Sequence, residues 1–240
     1  MSTSVVPLLT LNNGVVIPQV GLGVFQTKEG AEVEEAVRVA LDDGYRLIDT
    51  AAAYGNEVGV GKAIKASGLP REEVFITTKL WNANHAYDDA LRAFEESLKK
   101  LDCGYIDLYL IHWPLPMEGK FPQAWQALEK LYDDKRVRAI GVSNFKPHHL
   151  EELRKSAKTV PTVNQIELHP MFQQKETRVY CEEHGIVVES YSPLMRAGEA
   201  LEHPVIAKLA QQYRKTSAQV ILRWHVQSGF IVIPKSVKAE

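Results

Sequence analysis

Eight short apolar runs, separated by segments of helical spacing, constrain this chain more than any other feature. They begin at Val20, Tyr45, Val74, Ile106, Val137, Thr162, Ile186 and Phe230. Continuously apolar runs of this length suit strands buried on both faces. Between the first two, "EGAEVEEAVRVALDDG" sets Val33, Ala36, Val37, Ala40 and Leu41 on one helical face and stops at Gly44. "DDALRAFEESLKKL" does the same with Leu91, Phe94, Leu98 and Leu101. Strand–helix alternation implies a parallel sheet. Eight alternations in 240 residues, with no long Gly/Ser/Pro linker, predict one domain over residues 1–240. The expected α/β class is a closed (β/α)8 TIM barrel rather than an open doubly wound sheet. "LLTLNNGVVIPQV" adds an N-terminal hairpin around Asn12-Asn13-Gly14. "GLGVF" carries only two glycines and no helix follows it directly, so it does not make a dinucleotide fingerprint.

In a barrel of this kind functional groups sit at the C-terminal strand ends. The second run ends in Asp49 and the loop after it holds Tyr54. The third ends in Lys79, in step with Phe75 and Thr77. The fourth ends in His112, in step with Leu108 and Leu110. Adjacent strands lie about 4.8 Å apart, so these four groups converge on one patch. Each taken alone has a structural explanation: a cap, a solvent-reaching lysine, a core histidine. Four on three neighbouring strand ends point to one acid–base site. At about 4 Å and an effective dielectric of about 20, an ammonium attracts a phenolate by roughly 4 kcal/mol. Lys79 is therefore expected to bring the Tyr54 phenol down toward the working range of a general acid. Asp49 would keep Lys79 charged, and His112 would orient a carbonyl. A proton donor beside a polarised carbonyl lacks a reductant, which no side chain supplies, so a nicotinamide is implied.

Composition narrows the partners. Lys plus Arg number 28 against 30 Asp plus Glu, a net charge of −2, which disfavours a nucleic-acid binder. No run reaches the roughly 20 apolar residues of a spanning helix, and "MSTSVVPLL" does not read as a signal peptide. The two cysteines, Cys103 and Cys181, form no CxxC, which suits a cytoplasmic setting. No HExxH or Cys/His cluster suggests a metal.

"LIDTAAAYGNE", "TTKLWN", "LYLIHWP", "AIGVSNF", "NQIELHP", "SYSPL" and "IPKS", in that order, resemble the aldo-keto reductase family. The spacing is most similar to its bacterial branch of 2,5-diketogluconate and glyoxal-type reductases. The resemblance implies a metal-free barrel that reduces aldehydes and ketones with NADPH, with Asp49, Tyr54, Lys79 and His112 as its tetrad. It further implies that Ser143, Asn144 and Gln165 hold the nicotinamide carboxamide and that the ring stacks on Tyr191. Ser192 and Leu194 would follow the pyrophosphate, and Lys235 and Ser236, with Lys238, the adenosine 2′-phosphate. Val24 and Phe25 would border the cofactor. Phe25, Trp81 and Trp113, with Tyr54 and His112, would shape the substrate mouth, and Asp49 counts among the cofactor contacts too.

Local alternatives stand beside these roles: Ser143-Asn144 could cap the helix near Pro147, and Asn56 is expected to cap the helix after it. Adjacent on a helix, His148 and His149 are expected to point apart. The last run ends near Ser236 and the sequence stops at Glu240, too soon for an eighth helix. The family pattern places an arginine and a Glu-Asn pair there, so weaker NADPH binding and less preference over NADH are expected. A small dicarbonyl or keto-sugar substrate and a monomeric state fit the resemblance. Two other readings remain: a lyase using Lys79 as Schiff-base nucleophile, and a nicotinamide-binding barrel with little turnover.

Overall fold

The eight apolar runs form eight parallel strands in the computed structural model, which describes residues 6–195 and 199–237. Ahead of them, β1 (Leu8–Thr10) and β2 (Val16–Pro18) pair antiparallel, with Leu9 opposite Ile17. The hairpin turn needs Gly14, whose φ of 84° is the left-handed conformation that favours glycine. Then come β3 (Leu22–Gly23), β4 (Leu47–Asp49), β5 (Phe75–Leu80) and β6 (Ile106–Ile111). They continue as β7 (Val137–Ser143), β8 (Val163–Glu167), β9 (Val187–Tyr191) and β10 (Ile231–Val232).

Each strand is bonded to the next in chain order. The sheet closes on itself: the Val232 amide donates to Gln19 O at 2.9 Å and the Gly21 amide to Val232 O at 3.0 Å. Regular pairing of the first strand shrinks to Leu22–Gly23, because its earlier residues make this seam and Val24 already turns into a loop. The seam also explains Gly23, where a Cβ would lie 2.9 Å from the Ile233 carbonyl oxygen.

Helices α1 (Ala31–Asp42), α2 (Glu57–Ala66), α3 (Tyr87–Leu101), α4 (Phe121–Asp133), α5 (Pro147–Arg154) and α6 (Lys175–Glu183) follow β3 to β8 in turn. Between β9 and β10 lie α7 (Glu199–Glu202), α8 (Pro204–Tyr213) and α9 (Ser217–Gln227). Val33, Val37, Ala40 and Leu41 are the buried face of α1, as their spacing predicts. In α3 the face rotates slightly: Ala90, Ala93, Phe94, Ser97 and Leu101 are buried, and Leu91 and Leu98 pack half-buried at its edge.

Two apolar cores result. One fills the barrel, built from Leu47, Phe75, Leu108, Leu110, Ala139, Val163 and Ile231, with Leu11 and Ile17 of the hairpin region. The other lies between the strands and the helices. Both leave the C-terminal strand ends open to side chains of another kind.

Candidate active site

Inward-facing positions are apolar along most of each strand and turn polar at its end. On β4 Leu47 is followed by Asp49, and on β5 Phe75 and Thr77 by Lys79. Beyond β6, Leu108 and Leu110 give way to His112. Lys79 is wholly buried. Its Nζ donates to Asp49 Oδ1 at 2.6 Å and to Thr50 O at 2.8 Å, and lies 3.4 Å from Tyr54 Oη. Tyr54 is delivered by a single 3-10 turn, Ala52–Tyr54, closed by Gly55 at φ 68°. Its ring packs 5.0 Å from Phe25 and 5.7 Å from His112. The four predicted residues therefore meet, from three strand ends and one loop.

Electrostatically the site departs from expectation at Tyr54. Burial pushes the phenol above its ordinary value; Lys79 pulls it down, and Asp49 pushes it up again. The expected fall is thus reversed. Asp49 offsets much of the Lys79 charge, and a half-buried phenolate forfeits hydration that the sequence could not reveal. Burial also disfavours the Lys79 ammonium, yet Asp49 and then Tyr54 outweigh it and raise its pKa. His112 is held down to about 3 by burial and by Lys79, so its imidazole is neutral at ordinary pH. Its buried Nδ1 has no partner among the described residues.

Asp49, Tyr54 and His112 floor a cleft of about 760 Å³, with Lys79 buried beneath them. Phe25, Trp81 and Trp113 stand exposed at its rim, and Ser143, Asn144, Gln165, Tyr191, Ser192, Leu194 and Lys235 line it. Val24 does not join them: its side chain is fully buried in the outer core, because the chain alternates sides between Gly23 and Phe25. Ser236 is exposed just beyond the lining. Lys238 lies outside the described residues, as do residues 196–198 of the loop after Leu194.

Three local expectations give way to longer-range contacts. Asn56 precedes α2 but makes no cap bond; its Nδ2 donates to Val24 O and Thr27 O, and its Oδ1 accepts from Thr50. Ser143 and Asn144 do not cap α5, whose capping position is Lys146. Ser143 Oγ donates to Gln165 O, and Asn144 Nδ2 to His112 O, while Asn144 Oδ1 accepts from Tyr191 Oη at 2.9 Å. Asn144 holds a φ of 63°, which asparagine tolerates better than most residues. His148 and His149 do not diverge: their ring centroids are 4.0 Å apart, since His149 turns back to accept from the Lys146 amide.

The barrel, its strand-end cluster and this cleft are accompanied by a sequence match. The model of the aldo/keto reductase family matches residues 19–240. The chain belongs to the aldo/keto reductase family. It is similar to a glyoxal reductase of Bacillus subtilis (strain 168), 53% identical over 238 residues, covering 99% of this chain and 85% of that protein. It is 50% identical over 232 residues to a methylglyoxal reductase, DkgA, of Yersinia pestis, covering 96% and 83%. A solved structure of a Gox0644 variant in complex with NADPH superposes with a TM-score of 0.93 at 46% identity, covering 98% and 85%.

Beside these four residues the barrel buries one more carboxyl, Glu189 of β9, for which the sequence analysis gave no role. It sits one inward step before Tyr191, so the period-two spacing of "VVESY" carried the signal. Gln165 Nε2 donates to Asp49 Oδ2 and to Glu189 Oε2, both at 2.8 Å. Among the described residues no group of His, Cys, Asp and Glu side chains could hold a metal ion, and no helix is long and apolar enough to cross a membrane.

Proposed function

We infer that this aldo/keto reductase reduces small carbonyl compounds, dicarbonyls and keto sugars among them, to alcohols with NADPH, Tyr54 giving the proton. One observation carries the reading: a phenol at the floor of an aromatic-rimmed cleft, 3.4 Å from a buried ammonium that is itself held by a carboxylate. The glyoxal and methylglyoxal reductases among its relatives support the substrate class.

The cleft suits a nicotinamide. Gln165 and Asn144 offer amides to a carboxamide, Tyr191 an aromatic face to a ring, and Lys235 a cation to a phosphate. When bound, the cofactor supplies hydride to the carbonyl carbon. Tyr54, its pKa raised, keeps its proton at neutral pH and donates it to the carbonyl oxygen as negative charge builds there. The phenolate left behind faces the Lys79 ammonium, so the attraction grows as the reaction proceeds. Asp49 holds that ammonium in place, and the neutral His112 can donate one N–H to the same oxygen and fix its approach. Trp81, Trp113 and Phe25 border the substrate and limit water. A Schiff-base role for Lys79 finds no support: its amine is protonated, bonded twice and inaccessible.

Titration with NADPH and NADH, followed by tryptophan fluorescence, tests the cofactor, and NADPH consumption with methylglyoxal tests the reaction. Saturable quenching and turnover are expected. Tyr54→Phe should lower kcat by about 10²- to 10⁴-fold and leave NADPH binding nearly unchanged. Turnover surviving in that variant removes Tyr54 as the acid.

A further inference from the structure

Glu189 is fully buried, and nothing in the reaction above uses it. It faces the barrel interior on β9, directly across from Gln165 on β8 and Ile231 on β10. A carboxyl in such surroundings is costly unless it meets a specific need. Its Oε2 accepts from Gln165 Nε2, and its Oε1 has no partner among the described residues.

Gln165 is the informative neighbour. Its amide nitrogen carries two hydrogens and both are used, one by Asp49 Oδ2 and one by Glu189 Oε2. Turning the amide over would bring Gln165 Oε1 against the Asp49 oxygen that now accepts a bond at 2.8 Å. The amide is therefore locked from both sides. What Gln165 has left for a ligand in the cleft it lines is its acceptor, Oε1. Remove Glu189, and one N–H loses its partner in an apolar interior. The amide then gains by swinging that N–H toward the cleft, which offers a ligand a donor instead.

We propose that Glu189 is a positioning residue for the cofactor: with Asp49 it fixes Gln165 so that Oε1 accepts from the carboxamide NH2 of the nicotinamide. This rests on the nicotinamide reading of the cleft. Burial, and next the Asp49 charge, push the Glu189 carboxyl up to about 8, so near neutral pH it accepts from Gln165 without adding a second buried charge.

Paired cofactors test it. NADP+ has the carboxamide NH2; its 3-acetylpyridine analogue has a methyl group there and cannot donate. Dissociation constants for both come from calorimetric titration of the full chain. The native chain should prefer NADP+ by about 5- to 10-fold, the size of one hydrogen bond. Glu189→Met should bring that ratio close to one, and Glu189→Gln, which keeps an acceptor for Gln165, should retain it. A general loss of packing would weaken both ligands together and leave the ratio alone.

An unchanged ratio in Glu189→Met, or its loss in Glu189→Gln, overturns the proposal while the nicotinamide reading survives. A native chain that binds NADP+ without preferring it overturns the proposal likewise, and one that binds no nicotinamide overturns both. Should Glu189→Met fail to fold, Glu189→Gln and hydrogen exchange at the Gln165 amide of the native chain decide. Both Gln165 side-chain amide protons should resist exchange in a ¹⁵N-glutamine sample, and free exchange of either overturns the lock.

Discussion

The barrel buries a carboxylate near each end of its strands and surrounds the two very differently. Asp107, at the start of β6, accepts from Arg71 and Arg138, each at 2.6 Å, and from the Ile76 amide at 2.9 Å. Two guanidinium groups and a backbone N–H tie the starts of β5, β6 and β7 together. Asp49, at the end of β4, also accepts two close bonds, from Lys79 and Gln165. Around it, however, satisfaction is incomplete: His112 Nδ1 and Glu189 Oε1 lack partners among the described residues, and the Tyr54–Lys79 contact is long at 3.4 Å. Unpaired buried polar atoms occur elsewhere too, Tyr109 Oη and both His85 ring nitrogens among them, but these two stand beside the aromatic-rimmed cleft, where a ligand or a moving proton can complete the set. The start of the barrel is a finished network, and its end is an unfinished one.

Exchanging damage between the two ends breaks or sharpens this contrast. Lys79→Met should cut kcat by about 10²- to 10⁴-fold, because Tyr54 loses the charge that stabilises its phenolate. Asp107→Ala should leave kcat within about twofold and cost about 3 kcal/mol in urea unfolding, since two cations and an amide lose their acceptor together. Activity that falls in Asp107→Ala while the protein remains folded would mean the two networks are coupled through β5 and β6.

Comparable in size, but dependent on pH, is the effect of Glu189→Gln. The folded Glu189 keeps its proton up to about pH 8, while an unfolded glutamate releases it near 4.5. Between those values the native state binds more protons than the unfolded one, so native stability falls as pH rises, and above about 8 the loss is complete. Glutamine has no such slope. Glu189→Gln should therefore gain on the native chain by on the order of 3 kcal/mol between pH 5 and 8. Unfolding at pH 5, 6.5 and 8 measures it, and parallel curves would mean that Glu189 titrates like an exposed carboxyl.

What could be read beforehand followed from periodicity. Alternation gave the strands, and inward parity put Asp49, Lys79 and His112 on one patch. The same parity reached Glu189, but a lone glutamate in an apolar run draws no attention without its neighbour across the strands, Gln165. The Tyr54 shift was misjudged because its sign depends on burial against charge, and burial is a tertiary quantity. Val24 was misplaced by a single residue of alternation, and the His148–His149 contact hangs on one side-chain bond to the Lys146 amide.

Asn56 offers the finest test of local against tertiary reasoning. A cap residue needs an acceptor for the first amides of its helix, and aspartate serves as well as asparagine there. Asn56 instead works chiefly as a donor, with both Nδ2 hydrogens on the carbonyls of Val24 and Thr27 in the loop after β3. Asn56→Asp keeps every acceptor and deletes both donors, setting carboxylate oxygens against two carbonyls in a fully buried place. It should cost about 2 kcal/mol of stability. Because that loop carries Phe25 against the Tyr54 ring, the variant should also raise KM for carbonyl substrate more than it lowers kcat. A neutral Asn56→Asp would restore the simple cap and leave the Phe25 loop held by its own backbone.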